Sequence, residues 1–83
     1  IEVHLHFHGW LAKAYERKND DLKDELTGDV RYVVRKVVNP FWLIREVSRY
    51  WKDCAIASPD SMRQRMRRQL HDLCSLYDIE TKI

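Results

Sequence analysis

The chain has 83 residues, 45% of them apolar and 34% charged, with only two Gly and two Pro. This length supports one small core and excludes a second domain, and so few Gly and Pro residues argue against a disordered chain. Residues 1–29 hold four Lys/Arg against seven Asp/Glu, whereas residues 30–83 hold eleven against six. This asymmetry is compatible with an anionic partner for the second part, and equally with attraction between the two parts.

The N-terminal segment IEVHLHFHG alternates apolar and polar residues, which predicts a β-strand that ends at Gly9. A single strand is not stable by itself, because its backbone groups need a partner. We therefore predict an N-terminal β-strand or extended arm over residues 1–9 and a single helical domain over residues 10–83.

Three histidines, His4, His6 and His8, share one face of this strand about 7 Å apart. Neighbouring imidazoles of this kind can bind zinc, copper or nickel. Over seven residues the string also resembles the His-φ-His-φ-His-φ-φ line of the histidine triad hydrolases, where φ is apolar, but it departs at Gly9. Those enzymes need a larger α/β sheet. We interpret the histidines as the polar face of an edge strand and predict no metal and no cofactor.

Four helices are predicted after Gly9, because apolar residues recur three and four positions apart. Their predicted extents are Trp10 to Leu26, Val30 to Val38, Pro40 to about Asp53 with Asn39 as N-cap, and about Pro59 to about Asp78 with Ser58 as cap. A short apolar turn, CAIA, joins the last two. The fold class expected is mainly α: a small orthogonal or antiparallel bundle of about four helices with an N-terminal strand or arm.

The last predicted helix has an apolar stripe formed by Met62, Met66, Leu70, Leu73 and Tyr77. Arginines flank this stripe, and a second helix of this kind is typical of a helix-turn-helix that enters the DNA major groove. The sequence thus favours a nucleic-acid-binding domain of a regulatory protein. The expected contact residues are Ser58, Ser61, Gln64, Arg65, Arg67 and Arg68, with Arg45 and Arg49 on the preceding helix.

The alternative interpretation is a helical protein-interaction or homodimerisation module. Arginines beside an apolar stripe often serve only to keep a helix in water. Phe41, Trp42 and Leu43 point in three directions around their helix, so at least one is expected to be exposed or to meet another chain. In this interpretation the partner binds through Phe41, Trp42 and the N-terminal edge strand.

No catalytic constellation can be assembled from the sequence, so we predict that the chain is not an enzyme. Cys54 and Cys74 are expected about 20 Å apart along a helix pair, too far for a disulfide. Free thiols favour a reducing intracellular compartment. No apolar run reaches the length of a membrane span, which predicts a soluble chain without a membrane partner.

Overall fold

A computed structural model describes residues 1–79 of the chain. Its elements are β1 (Glu2–Phe7), α1 (Gly9–Ala14), β2 (Asp21–Thr27), β3 (Val30–Lys36), α2 (Pro40–Tyr50), a 3₁₀ turn (Trp51–Asp53), β4 (Cys54–Ser58) and α3 (Asp60–Leu76). The predicted mainly-α bundle is therefore wrong, because three segments expected to be helix or turn are strands: β2, β3 and β4.

The four strands form one antiparallel sheet in the order β2-β3-β1-β4. With its two connecting helices, the chain follows the split βαβ, or ferredoxin-like, order βαββαβ, and α3 is added at the end. The N-terminal strand is confirmed, but it lies in the middle of the sheet between β3 and β4. It is neither an arm nor an edge strand. A topology of this kind hosts many functions, so it assigns none.

The hydrophobic core lies between one face of the sheet and the helices. On β1, Val3, Leu5 and Phe7 are fully buried, and Leu5 faces Val33 of β3 and Ile56 of β4. The helices contribute Ala12, Leu43, Ile44, Val47 and Met62 to the same cluster. The opposite face of the sheet carries the polar residues of β1. The strand alternation seen in the sequence thus correctly identifies which side of β1 is buried.

The β2–β3 hairpin turns at Gly28 and Asp29, between the paired residues Thr27 and Val30. Gly28 has a positive φ of 61°, which glycine adopts without steric cost in a two-residue hairpin turn. The dipeptide Gly-Asp between two strand-forming segments is a hairpin signal in its own right. The Gly-Asp signal indicates a turn between two strands, whereas the helical spacing of the valines favoured a helix.

The inward side of this hairpin carries two charge pairs in addition to the buried Val33. Arg35 Nε of β3 donates to Asp21 Oδ1 of β2 at 2.8 Å, and both side chains are buried. Four residues before Arg35 on the same strand, Arg31 Nη1 donates to Asp24 Oδ1 of β2 at 2.7 Å. Burial of these charges is tolerated because each one is hydrogen-bonded to an opposite charge. The inner face of the hairpin therefore combines the buried Val33 with paired charges, and only its β2 half is without apolar residues.

The Arg35 guanidinium also joins the sheet to α1 and α2. Its Nη1 donates to Glu46 Oε2 at 2.8 Å and its Nη2 to the Tyr15 hydroxyl at 2.6 Å, while that hydroxyl donates to Asp21. Burial alone would raise the pKa of both carboxyls, but the hydrogen bonds from Arg35 outweigh it, and the pKa of Asp21 and of Glu46 lies below its ordinary value. Burial raises the pKa of Tyr15, helped by its hydrogen bond to Asp21.

The two longer helices begin near the predicted positions. The Asn39 side chain accepts a hydrogen bond from Phe41 N at 3.0 Å, and Pro40 occupies the first turn, which confirms the predicted cap of α2. The predicted Ser58 cap of α3 is wrong, because Ser58 ends β4 and Pro59 takes the N-cap position. Within residues 1–79, no helix is both long and apolar enough to cross a membrane.

Candidate docking surface

The apolar stripe of α3 changes from buried to exposed along the helix. Met62 is 1% exposed, and Met66 is partly buried against the core. Further along, the exposed fraction rises to 37% at Leu70, 49% at Leu73 and 78% at Leu76. With 17 residues, α3 is about 25 Å long. The first half of the helix covers the core, whereas the second half presents the same stripe to solvent.

A groove lies between the exposed part of this stripe and the segment that joins α2 to β4. Its volume is about 450 Å³, and its lining includes Trp51, Ile56, Met66, Leu70 and Leu73. This volume falls in the range of binding pockets, and the walls are mostly apolar. An apolar surface of this kind, rimmed by charged residues, is typical of a protein-interaction site.

Trp51 stands at the rim of the groove in an unfavourable backbone conformation. Its φ is 57° and its ψ −127°, a combination that glycine adopts easily and bulky residues rarely adopt. The side chain is nevertheless 77% exposed, so it contributes little burial in return. A strained residue without a packing reason is a candidate for a functional role.

Three cations line the groove: Lys52, Arg63 and Arg67. Arg63 Nη1 donates to the backbone oxygen of Ile56 at 2.6 Å, which fixes its side chain between α3 and β4. Lys52 Nζ lies 5.8 Å from the centre of the Trp51 ring, within cation–π range. No carboxylate lines the groove among the residues that the structure describes. The groove is therefore apolar along its floor and positive at its rim.

The residues predicted to bind nucleic acid do not form a helix-turn-helix, because β4 separates α2 from α3. Ser58 lies in β4 and is partly buried. The remaining predicted residues, Ser61, Gln64, Arg65, Arg67 and Arg68 on α3 with Arg45 and Arg49 on α2, are all exposed. None of these five arginines forms an ion pair with another residue between positions 1 and 79.

The three predicted arginines of α3 lie on different sides of the helix. Gln69 Nε2 donates to Ser48 of α2 at 2.8 Å, so the side of α3 that carries Gln69 faces α2. Arg65 lies one turn before Gln69 on that side, whereas Arg67 lies one turn after Arg63 and lines the groove. The structure therefore places Arg65 toward α2 and Arg67 in the groove, while Arg68 is exposed on the outer side of α3.

The two residues predicted to bind a protein partner, Phe41 and Trp42, are exposed by 55% and 64%. They contact each other edge to face, with ring centres 5.1 Å apart, and Arg45 lies over the Phe41 ring at 5.6 Å. Val38, nearby, is also exposed. These residues form a second apolar surface at the start of α2. The N-terminal strand β1 was expected to bind a partner beside them as an edge strand, but it lies in the middle of the sheet.

The histidines lie on the open face of the sheet. The His6 ring packs edge to face against Tyr32 of β3, with centres 4.8 Å apart, and lies 6.5 Å from His8. Burial lowers the pKa of His6, and the neighbouring His8 and His4 lower it further. Within the described part of the chain, no group of three or more His, Cys, Asp or Glu side chains is placed to hold a metal ion.

Both cysteines are free thiols. Cys54 is buried beside Phe7, and burial raises the pKa of its thiol to about 12, so it is a poor nucleophile. Cys74 is partly buried on α3. These surroundings fit packing roles for both side chains.

The chain matches no protein-family model and no curated protein.

Trp51 and the leucines of α3 are the residues that the sequence did not identify as a surface. The helical period placed Leu70, Leu73 and Tyr77 in the apolar stripe of the last helix, but all three are exposed, and so is Trp51. Periodicity identifies the apolar side of a helix, but it does not show how far the sheet beneath that side extends. The useful signal would have been the difference in length between the 17-residue helix α3 and the five-residue strand β4.

Proposed function

We propose that this chain is a protein-interaction module that binds another polypeptide through α3 and the groove beside it. The observation that carries the proposal is the exposure of Leu70, Leu73 and Leu76 on the side of α3 that is buried at Met62. Exposed leucines on one continuous stripe cost solubility, and a partner that covers them removes this cost. Trp51 and Arg67 at the groove belong to the residue types that contribute most to binding energy at interfaces.

A binding role also agrees with the rest of the described chain. The buried ionisable side chains of Arg35, Asp21 and Tyr15 form hydrogen bonds with one another inside the fold. Groups used in that way hold elements together and are not presented to a substrate. The free thiols of Cys54 and Cys74 favour a reducing intracellular compartment for this module.

Site-specific photo-crosslinking tests the proposal. A photoreactive phenylalanine analogue replaces Leu73 in the chain produced in its own cells, and a matched variant carries it at His71 on the outward side of α3. Because only Leu73 lies at the groove, we expect protein adducts from position 73 and few from position 71. Equal yields from both positions, or no adduct at position 73, would contradict the proposal. Mass spectrometry of the adducts distinguishes a second copy from a different partner.

Nucleic-acid binding is the second candidate, and a specific observation favours it. Arg45, Arg49, Arg65 and Arg68 are exposed and form no ion pair with residues 1–79, so they could contact phosphates. Without a helix-turn-helix, such contacts would act mainly through charge.

Fluorescence anisotropy of labelled duplex and single-stranded oligonucleotides at several salt concentrations tests this candidate. If four phosphates are neutralised, the logarithm of the duplex affinity should fall with the logarithm of salt at a slope of about −3.6. The variant Arg65→Ala with Arg68→Ala should make the slope shallower by about half, while circular dichroism shows an unchanged fold. Binding that is absent at low salt removes this candidate.

A further inference from the structure

We infer that the groove between α3 and β4 binds an amphipathic helix whose apolar side is flanked by Asp and Glu residues. This inference rests on the proposed function and adds the chemistry of the partner. One wall of the groove is the side of α3 that carries Leu70 and Leu73, three residues apart. Side chains at this spacing form ridges into which the ridges of a second helix fit.

The charge of the partner follows from the rim of the groove. Lys52, Arg63 and Arg67 line it, and no carboxylate does so among residues 1–79. Arg63 is held in place by its hydrogen bond to Ile56 O, so its charge is fixed beside the apolar floor. Carboxylates on both flanks of a docked helix would form charge-assisted hydrogen bonds with these groups, whereas lysines there would be repelled.

The same rim argues against a second copy of this chain as the occupant. A twofold dimer brings one surface patch against itself. Two grooves facing each other would bring Lys52, Arg63 and Arg67 of both copies together, and like charges across an interface oppose association. A partner of opposite charge avoids this repulsion.

Trp51 supplies an anchor for the docked helix. Its ring is exposed at the rim, and its position is fixed by the end of α2 and the start of the 3₁₀ turn. The unfavourable φ of 57° is maintained although the side chain gains little burial in the free chain. Contact with an apolar side chain of the partner gives the ring the burial that the chain itself lacks.

The experiment uses three synthetic helical peptides with the same leucine-rich face and with flanks of Glu, Gln or Lys. Binding to the full chain is measured by fluorescence anisotropy at low and high salt. We expect the Glu peptide to bind at least tenfold more tightly than the Gln peptide, and the Lys peptide not to bind. High salt should reduce the advantage of the Glu peptide several-fold.

Two charge-reversal variants form a matched pair. Lys52→Glu with Arg67→Glu changes the rim of the groove, and Lys13→Glu with Lys23→Glu makes the same change in net charge at exposed residues away from it. The first variant should prefer the Lys peptide, and the second should keep the preference for the Glu peptide. Trp51→Gly should weaken binding of the Glu peptide about tenfold. Thermal melting establishes that each variant is folded.

The outcomes separate the inference from the proposed function. Equal binding of all three peptides, or an unchanged preference in the rim variant, overturns the acidic partner and leaves a protein-binding groove. Light scattering that shows a dimer lost in Leu73→Asp overturns it in favour of a second copy. Absence of binding by every peptide overturns it as well, and the crosslinking at Leu73 then decides the proposed function separately.

Discussion

The arginines of the β2–β3 hairpin and those of α3 differ in what their guanidinium groups contact. Arg35 is buried and hydrogen-bonded to Asp21, Glu46 and Tyr15, and Arg31 pairs with Asp24. On α3 the arginines are exposed, and none forms an ion pair within residues 1–79. The comparison teaches that one residue type holds the sheet to the helices in one region and is available for binding in the other.

Replacing Arg35 should give the largest effect in this comparison. Arg35→Met leaves Asp21 buried without its cationic partner, and a broken buried pair of this kind typically costs about 3–5 kcal/mol of unfolding free energy. The matched change Arg68→Met on α3 should alter the free energy by less than about 0.5 kcal/mol. Urea denaturation followed by circular dichroism measures both. Similar losses in the two variants would remove the distinction between the regions.

The second largest effect on the unfolding free energy should come from low pH, which destabilises the hairpin region. The lowered pKa values of Asp21 and Glu46 stabilise the fold at pH values above the ordinary pKa of these carboxyls, and this stabilisation is lost as the pH falls through the lowered values. The effect should be smaller than that of Arg35→Met, because a protonated carboxyl keeps its shape and still accepts a hydrogen bond from Arg35.

Urea midpoints between pH 7 and pH 3 measure this dependence. The midpoint of the natural chain should fall steadily below about pH 5. In Arg35→Met the fall should be shallower, since the carboxyls have lost the partner that lowers their pKa. Parallel curves for the two proteins would show that other groups account for the acid sensitivity.

Replacing Trp51 should give the smallest change in unfolding free energy, and this change should be an increase. Trp51→Gly relieves the backbone strain at φ 57° and removes little buried area, so the unfolding free energy should rise by about 1 kcal/mol. The larger backbone entropy of glycine in the unfolded chain limits the gain. Trp51→Ala keeps the strain and serves as the control, with no gain expected in urea denaturation. Destabilisation by Trp51→Gly would mean that the indole ring packs in the fold.

The sequence identified the elements whose buried side is apolar. The alternation in β1 and the spacing of Leu43, Ile44 and Val47 in α2 follow the two elementary periods, and both elements are present. In β3 the period of two is present as well, since Val33 and Arg35 are buried, and it continues to Val37 just beyond the strand. It was missed because the valines also match the helical spacing and because Arg35, an inward-facing residue, is charged.

The strand β2 was hidden for the same reason. Its inward residues are acidic, and they are compatible with burial only because β3 supplies arginines opposite them. A pattern based on hydrophobicity cannot recognise an element whose inner face becomes neutral only after pairing. Of the candidate surface, the exposure of Phe41, Trp42 and the arginines was predictable, whereas that of Leu73 depends on how far the sheet extends beneath α3.

Because β1 lies in the middle of the sheet, it is synthesised well before one of the two strands with which it pairs. Residues 2–7 leave the ribosome before the rest of the sheet, yet one of their two neighbouring strands ends only at Ser58. At ordinary rates of translation, about 3–10 seconds pass between these events. During this interval Val3, Leu5 and Phe7 lack half of their cover, while the hairpin behind them can already fold locally. During synthesis the apolar side of β1 is therefore open to aggregation and to chaperones until β4 has been made.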